Sequence, residues 1–181
     1  MNCDDKDIIE GCKHYDKLWQ KALYDKYSAK LYAICRRYHK TKEDAEDVFQ
    51  DAFIKLLSNV GKYSGKGSFE GWLKRFFTNY CINALRNKTY KEQINDELFI
   101  VEEDEEDLDV ERFTNDELMA SLSILKDLER IIFNLAEVEQ MPYKEIEQLL
   151  KIKAVTLRSI NFRAKKKMKE FLLNIERERN E

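Results

Sequence analysis

The stretch "PYKEIEQLLKIKAVTLRSINFRAKKKMKEFLLNI", residues 142–175, contains two helical patterns separated by a few residues. Pro142 suits the first position of a helix, and the short segment "YKEIEQLL" follows it. The residues "KIKA" are a predicted turn, and the segment after them is long and basic. A short helix, a brief turn and a basic helix form the layout of a helix-turn-helix. The sequence therefore predicts this motif near the C-terminal end.

The two faces of the long basic helix differ in chemistry. Apolar residues share a narrow arc, which we expect to pack inward: Leu157, Ile160, Ala164, Met168 and Phe171. We expect a second set to face outward: Arg158, Ser159, Phe162, Arg163 and Lys166. Arginine can read guanine through two hydrogen bonds, and phenylalanine can contact a thymine methyl group. This set is a predicted surface for reading duplex DNA, and a basic helix without a ligand is the simpler alternative.

Charge divides the chain of 181 residues into modules, although the formal net charge is only -3. Residues 62–91 and 151–170 are strongly basic, whereas residues 95–117 carry twelve acids and one arginine. An acidic run of this kind is typical of a solvated linker. With 1 proline and 5 glycines, the composition favours helices over strands. We therefore predict an all-α chain of two small helical domains, residues 1–94 and 118–181, joined by an acidic linker over residues 95–117.

The N-terminal module is predicted to be a bundle of three helices. Apolar residues recur at helical spacing in "LWQKALYDKYSAKLYAICRRY" and in "KEDAEDVFQDAFIKLL", and Thr41 is suited to cap the second of these helices. The loop "GKYSGKGS" follows, and Ser68 is suited to cap the third helix. Cys35 and Cys81 are predicted to be small buried residues. Their spacing from Cys12 and the two histidines does not match a structural zinc site, so we predict no metal or other cofactor.

The third helix, "SFEGWLKRFFTNYCINALRNK" over residues 68–88, carries a second stripe beside its apolar face. This stripe runs from two aromatic residues through two amides to a cation: Trp72, Phe76, Asn79, Asn83 and Arg86. Aromatic rings stack on unpaired bases, amides read base edges and cations hold phosphates. The sequence therefore predicts a surface for single-stranded nucleic acid. The alternative is that Trp72 and Phe76 belong to a wide core face.

The second helix has an unusual outer face. Asp47, Gln50, Asp51 and Ile54 align at helical spacing opposite the apolar arc. Acids on an outer face are ordinarily solvated, but an exposed isoleucine among them indicates a docking face for a basic partner helix. No Glu-x-x-His motif accompanies these acids, which argues against a di-iron bundle.

Three motifs in order resemble a known family: "EDAEDVFQDAFIKLL", "SFEGWLKRFFTNYCINALRNK" and "YKEIEQLLKIKAVTLRSINFRAKKKM". The chain resembles the bacterial extracytoplasmic-function (ECF) sigma factors of the sigma-70 family, from about residue 15 to residue 173. The resemblance implies that the N-terminal domain is sigma region 2, which binds core RNA polymerase and melts the −10 element. It implies that the C-terminal domain is sigma region 4, which reads the −35 element.

The resemblance also implies roles for residues. Positions matching the helix that binds the coiled coil of the polymerase β′ subunit include Asp44, Asp47, Gln50 and Asp51, beside the exposed Ile54. Positions matching −10 recognition add the loop residue Tyr63 and Arg75 to the stripe. The implied −35 positions are four of the outward set of the last helix: Arg158, Ser159, Phe162 and Arg163. Lys151, Val155 and Lys126 depart from the glycines and proline that are common in the family, which affects the geometry of the predicted turn.

The implied function is that of a transcription initiation factor without enzymatic chemistry. Its expected partners are core RNA polymerase, through the β′ coiled coil and the β flap, promoter DNA, and an anti-sigma factor. We expect a cytoplasmic protein without membrane insertion, because no segment is long and apolar enough to span a bilayer. Two alternatives remain open at this point. One is a two-domain helix-turn-helix regulator that acts without polymerase, and the other is a nucleic-acid-processing enzyme.

Overall fold

The computed structural model describes residues 4–89 and 110–180, and every regular element in these two stretches is helical. The chain divides into two units, Met1–Arg86 and Asn87–Glu181. The α-helices of the described residues are α1 (Asp5–Lys13), α2 (Lys17–Tyr38), α3 (Lys42–Leu57), α4 (Phe69–Thr89), α5 (Asn115–Ser123), α6 (Asp127–Phe133), α7 (Tyr143–Leu150) and α8 (Ala154–Asn180). The predicted all-α fold is therefore confirmed. The predicted boundary between residues 94 and 95 lies outside the described residues.

Helices α2, α3 and α4 form the core of the first unit around a cluster of aromatic rings. The ring centroids of Phe49 and Phe53 in α3 lie 5.8 and 6.5 Å from that of Phe77 in α4. The sulfur atoms of Cys35 and Cys81 lie 3.7 Å apart in the same core, and both residues are buried. The prediction that these two cysteines are core residues is confirmed.

Helix α1 corrects the prediction of three helices in this unit. It has only nine residues, and its apolar pattern, with Ile8 and Cys12 buried one helical turn apart, is too short to predict a helix on its own. Close packing on α2 and on the 3₁₀ turn after α3 holds it in place. A Cβ atom at Gly11 would lie 2.0 Å from Cδ1 of Trp19, so this approach of α2 to α1 requires glycine.

Asp5 anchors the start of α1 to the middle of α2. Its carboxylate accepts hydrogen bonds from the Tyr27 hydroxyl at 2.6 Å and from Nζ of Lys26 at 2.7 Å. Burial by itself would raise the pKa of Asp5, but the hydrogen bonds from Lys26 and Tyr27 and the Lys26 charge bring it below its ordinary value. The ionised carboxylate therefore stabilises the folded unit.

Side chains cap the two helices that carry the predicted sites of this unit. The hydroxyl of Thr41 accepts a hydrogen bond from the backbone N–H of Asp44 at 3.1 Å, at the start of α3. The hydroxyl of Ser68 accepts one from the backbone N–H of Gly71 at 3.0 Å, at the start of α4. Both predicted caps are confirmed, and each satisfies a backbone donor that the first turn leaves unpaired.

The second unit begins before the predicted end of the acidic linker at residue 117. Phe113 is buried, and Thr114 forms a reciprocal capping box with Glu117 at the start of α5. Nη1 of Arg112 donates a hydrogen bond to Glu176 in α8 at 2.9 Å. The last acids of the acidic run occupy the first turn of α5, where their negative charge interacts favourably with the helix dipole. Their charge alone therefore could not mark the domain boundary.

Helices α7 and α8 form the predicted helix-turn-helix. Pro142 stands one residue earlier than predicted, as the N-cap of α7, and residues 151–153 form the turn. Lys151 ends α7 in the left-handed conformation with φ 61°, a position that commonly holds glycine. Buried apolar residues of both helices and of the turn pack together: Ile146, Leu150, Ile152, Leu157 and Ile160.

A buried arginine of α6 joins this helix to the end of α5. Arg130 is 1 % exposed, and its guanidinium donates hydrogen bonds to the carbonyl oxygens of Leu122 at 3.1 Å and Leu125 at 2.8 Å. Asp127 supplies a carboxylate 3.3 Å from the same group. The Leu122 carbonyl also accepts a hydrogen bond from the backbone N–H of Leu125, so the guanidinium adds a side-chain contact to the turn that leaves α5. Between α6 and α7 the chain makes a π-helical turn, Asn134–Val138.

Candidate nucleic-acid and protein-binding surfaces

The outer side of α3 presents the predicted acidic docking face, which consists of Asp44, Asp47, Gln50, Asp51 and Ile54. All five residues are exposed, and Ile54 is 67 % exposed. Asp44 also has a structural role, because its carboxylate accepts a hydrogen bond from the Thr41 hydroxyl at 2.7 Å. The face therefore combines two further exposed acids, Asp47 and Asp51, and an amide with a large apolar side chain that the unit itself does not bury.

A groove between α2 and α3 continues this face. Its volume is about 550 Å³, and Gln50 and Ile54 belong to both the groove and the docking face. The other lining residues are Tyr24, Ser28, Ala29, Tyr32, Glu46, Phe49 and Phe53. The ring of Tyr24 lies 5.1 Å from that of Phe53, and the ring of Tyr32 lies 5.7 Å from that of Phe49.

The contribution of α2 to this groove was absent from the sequence-based prediction. Tyr24 and Tyr32 are eight residues apart on α2, so they lie on one side of it about 12 Å apart along the axis, with the small residues Ser28 and Ala29 between them. That spacing was the available signal. It could be interpreted only once the pairing of α2 with α3 was known.

The loop before α4 holds Tyr63 close to the aromatic residues of that helix. The hydroxyl of Tyr63 donates a hydrogen bond to the carbonyl oxygen of Gly67 at 2.7 Å, and its ring lies 5.7 Å from that of Trp72. Gly65 and Gly67 have φ values of 77° and 76°, a conformation that other residues rarely adopt. The glycines thus allow the loop to fold back and place Tyr63 beside the predicted stripe.

Aromatic residues of the stripe on α4 lie between core and solvent. Trp72 and Phe76 are half-buried with ring centroids 5.9 Å apart, and Phe76 contacts the core residue Phe77 at 6.1 Å. Trp72 and Phe76 are therefore neither fully in the core nor fully at the surface, and both interpretations are partly correct. Asn79 and Asn83 are exposed, as predicted.

Two arginines of α4, Arg75 and Arg86, belong to the predicted −10 surface. Arg75 is exposed on α4, as a residue that contacts phosphates would need to be. The side chain of Arg86 lies outside the described part of the chain. The described stripe thus has anchored aromatic rings at its start and exposed amides further along the helix.

The basic face of α8 differs from the prediction at one residue. Arg158 and Lys166 are exposed, and Phe162 and Arg163 are half-buried. Ser159 is only 5 % exposed, so the prediction that it faces outward is wrong. Helix α8 packs against α5, α6 and α7, so its buried surface is wider than the single stripe that periodicity indicated.

Two stretches of the chain match families of known proteins. Residues 23–90 match the family described as Sigma-70 region 2, and residues 115–168 match the family described as Sigma-70, region 4. The chain belongs to the sigma-70 family. The first match contains α3, the Tyr63 loop and α4, and the second contains the helix-turn-helix with its basic face.

Similar proteins place this sigma factor in the ECF group. It is 29% identical over 158 residues to the ECF RNA polymerase sigma factor SigE of Mycolicibacterium smegmatis, covering 83% of this chain and 60% of that protein. It is 27% identical over 176 residues to the ECF RNA polymerase sigma-E factor of Haemophilus influenzae, covering 89% of this chain and 91% of that protein. The match to the Haemophilus protein thus includes both units.

A solved structure shares the fold of the sigma factor. It is the sigma factor RpoE in complex with the anti-sigma factor NepR from Bartonella quintana, with a TM-score of 0.54 and 18% sequence identity. The similarity covers 84% of this chain and 95% of that one.

The described residues of the sigma factor contain neither a metal-binding cluster nor a membrane-spanning helix. Over residues 4–89 and 110–180, no three metal-binding side chains lie close enough together to hold an ion. No helix in the same stretches has the length and apolar character needed to cross a membrane.

Proposed function

We propose that this ECF sigma factor binds core RNA polymerase, directs it to specific promoters through −10 and −35 contacts, and promotes the initiation of transcription. The observation that carries the proposal is the exposed Ile54 beside an acidic face and an open groove on α3. A helix-turn-helix regulator that acts alone needs no such protein-docking surface. The docking surface therefore favours the sigma factor over the alternative of a regulator without polymerase.

Binding to polymerase would begin at the acidic docking face. Asp47 and Asp51 are exposed acids that complement a basic helix, and Ile54 supplies an apolar anchor. The resemblance described above assigns the partner as the coiled coil of the β′ subunit, with the β flap as a second contact for region 4. Charge complementarity would speed association and set orientation, while burial of the isoleucine would add affinity.

Promoter opening would use the stripe on α4 and Tyr63. Trp72 and Phe76 have one side anchored in the unit, so little side-chain freedom is lost when a base stacks on the other side. Asn79 and Asn83 are placed to hydrogen-bond with edges of unpaired bases, and Arg75 to bind a phosphate. Holding bases outside the duplex favours the melted −10 element.

Recognition of the −35 element would use α8. Arg158 and Lys166 are exposed for contacts with bases and phosphates, and Phe162 and Arg163 are accessible in part. Ser159 is withdrawn from this surface by its burial. The proposed reading set therefore has four members instead of five.

We also propose where the sigma factor acts and how it is regulated. The sigma factor would act in the cytoplasm as an initiation factor, without enzymatic chemistry of its own. An anti-sigma factor would restrain it by covering the acidic docking face or the basic face of α8. The sigma factor of the similar structure from Bartonella quintana is bound to an anti-sigma factor, which supports this part of the proposal.

The test compares the sigma factor alone with its mixture with purified core polymerase. We expect a stable complex on gel filtration, weakened by Asp47→Lys, and permanganate-reactive thymines in promoter DNA only when both components are present. Asp25→Lys on α2 is the matched control, since Asp25 is an exposed acid that does not line the groove. Tight duplex binding by the chain alone, with no effect of core polymerase, would support the regulator instead.

A further inference from the structure

The side chain of Arg158 lies over an aromatic ring of the preceding helix. Its Cζ atom is 5.3 Å from the ring centroid of Tyr143, which is the first residue of α7. Arg158 is exposed, whereas Tyr143 is half-buried. A guanidinium at this distance from a ring is attracted by the negative face of the ring. The proposed base-reading arginine therefore rests on a platform supplied by the other helix of the motif.

A buried asparagine fixes this platform. Nδ2 of Asn161 donates hydrogen bonds to the hydroxyl oxygen of Tyr143 at 2.9 Å and to Oε1 of Glu137 at 2.6 Å. Asn161 is 3 % exposed, and both of its contacts are with half-buried side chains. The two amide hydrogens thus tie α8 to α7 and to the π-helical turn, and they fix the position of the ring.

The ring also remains neutral in this setting. Burial raises the pKa of Tyr143, the hydrogen bond from Asn161 lowers it, the Glu137 carboxylate raises it and the Arg158 charge lowers it, and the net shift is upward. The contact of Tyr143 with Arg158 is therefore a cation–π contact with a neutral ring and not an ion pair. The same hydroxyl that accepts from Asn161 therefore stays protonated.

We propose that Tyr143 is a positioning residue for −35 recognition, which holds the guanidinium of Arg158 ready for a base, while Asn161, itself bonded to Glu137, holds Tyr143. The inference rests on the proposed function and names one specificity determinant within it. A guanidinium that stacks on an aromatic ring does so with its flat face. The N–H donors in the plane of the guanidinium therefore stay available for two acceptors of guanine. Arginine has a long, flexible side chain, and a side chain that is already oriented loses less freedom on binding.

The experiment uses the full chain bound to core polymerase. Wild-type complex selects duplexes from a pool randomised across the −35 element, and the selected duplex is the probe. Tyr143→Leu removes the ring, Tyr143→Phe keeps it without the hydroxyl, and Arg158→Ala removes the cation. We expect Tyr143→Leu to weaken binding about two- to fivefold, the range of an exposed cation–π contact. We expect it to relax preference at the same base pair as Arg158→Ala, whereas Tyr143→Phe keeps that preference.

The decisive comparison is the double variant. If Tyr143 acts through Arg158, then Tyr143→Leu has no further effect on binding once Arg158 is alanine. An equal loss in both backgrounds would overturn the inference, since the ring would then support only the fold. A second measurement needs no variant: in the free wild-type chain, nuclear Overhauser contacts should join the δ protons of Arg158 to the ring protons of Tyr143, and their absence would also overturn it.

The same experiment separates failure of the proposed function from failure of the inference. If the wild-type complex selects no −35 sequence at all, the proposal of promoter recognition by α8 is wrong, and the inference falls with it. If selection succeeds but the two residues act independently, only the inference is wrong.

Discussion

Truncation of Ile54 should separate polymerase binding from folding. Ile54 is 67 % exposed in the free unit, so about two-thirds of its apolar surface remains for a partner to bury. Full burial of an isoleucine side chain is worth about 1.5–3 kcal/mol, so Ile54→Ala should cost about 1–2 kcal/mol of binding free energy. That loss corresponds to affinity for core polymerase lower by about five- to thirtyfold. The free energy of unfolding should change little, because the unit buries only a third of this side chain.

The assay is a competition in which unlabelled variants displace a fluorescently labelled wild-type chain from core polymerase. Leu18→Ala is the matched control, since Leu18 is 64 % exposed on α2 and does not line the groove. It removes a similar apolar surface from the same unit and should leave displacement unchanged. Equal competition by Ile54→Ala, Leu18→Ala and the wild type would refute the reasoning that Ile54 anchors the partner.

Three further predictions test the −10 surface, the anchor of α1 and the turn of the helix-turn-helix. Changing Asn79 and Asn83 together to alanine should weaken binding to a premelted −10 template by about 1–3 kcal/mol while leaving −35 duplex affinity unchanged, and equal binding to the premelted template would contradict the proposed stripe. Asp5→Asn should lower the free energy of unfolding at pH 7, because the folded pKa of Asp5 is depressed. In denaturant titrations, the difference in free energy of unfolding between wild type and variant should be complete above about pH 5 and should shrink as the pH falls below 3.8. Lys151→Gly should raise the free energy of unfolding by about 0.5–1 kcal/mol, because it relieves a left-handed conformation at an exposed residue, and a loss of stability would mean that the lysine side chain contributes contacts of its own.

Periodicity and capping in the sequence were sufficient for the long helices. The apolar spacing in α3, α4 and α8 is regular over many residues, and Thr41 and Ser68 mark where two of these helices begin. The docking face followed from the same periodicity, because an exposed isoleucine opposite an apolar arc is visible without tertiary structure. These features depend on residues that lie close together in the chain.

Features that depend on distant residues were not predicted. Helix α1 is held by packing against Trp19 and by the hydrogen bonds of Asp5, which no local pattern reveals. Ser159 is buried on a helix that packs against α5, α6 and α7, and the width of such a buried arc depends on how many neighbours pack around the helix. The contact between Arg158 and Tyr143 likewise joins residues of two helices whose orientation the turn sets.

Transcription in a purified system tests the central claim most directly. Core polymerase would transcribe genomic DNA from the bacterium that encodes the sigma factor, with no addition, with the wild-type chain, or with Asp47→Lys, and the 5′ ends of the transcripts would be sequenced. The account predicts new start sites with the wild-type chain that share two sequence motifs, centred near −35 and −10, and far fewer of these starts with Asp47→Lys. Start sites that are the same with and without the wild-type chain would contradict it.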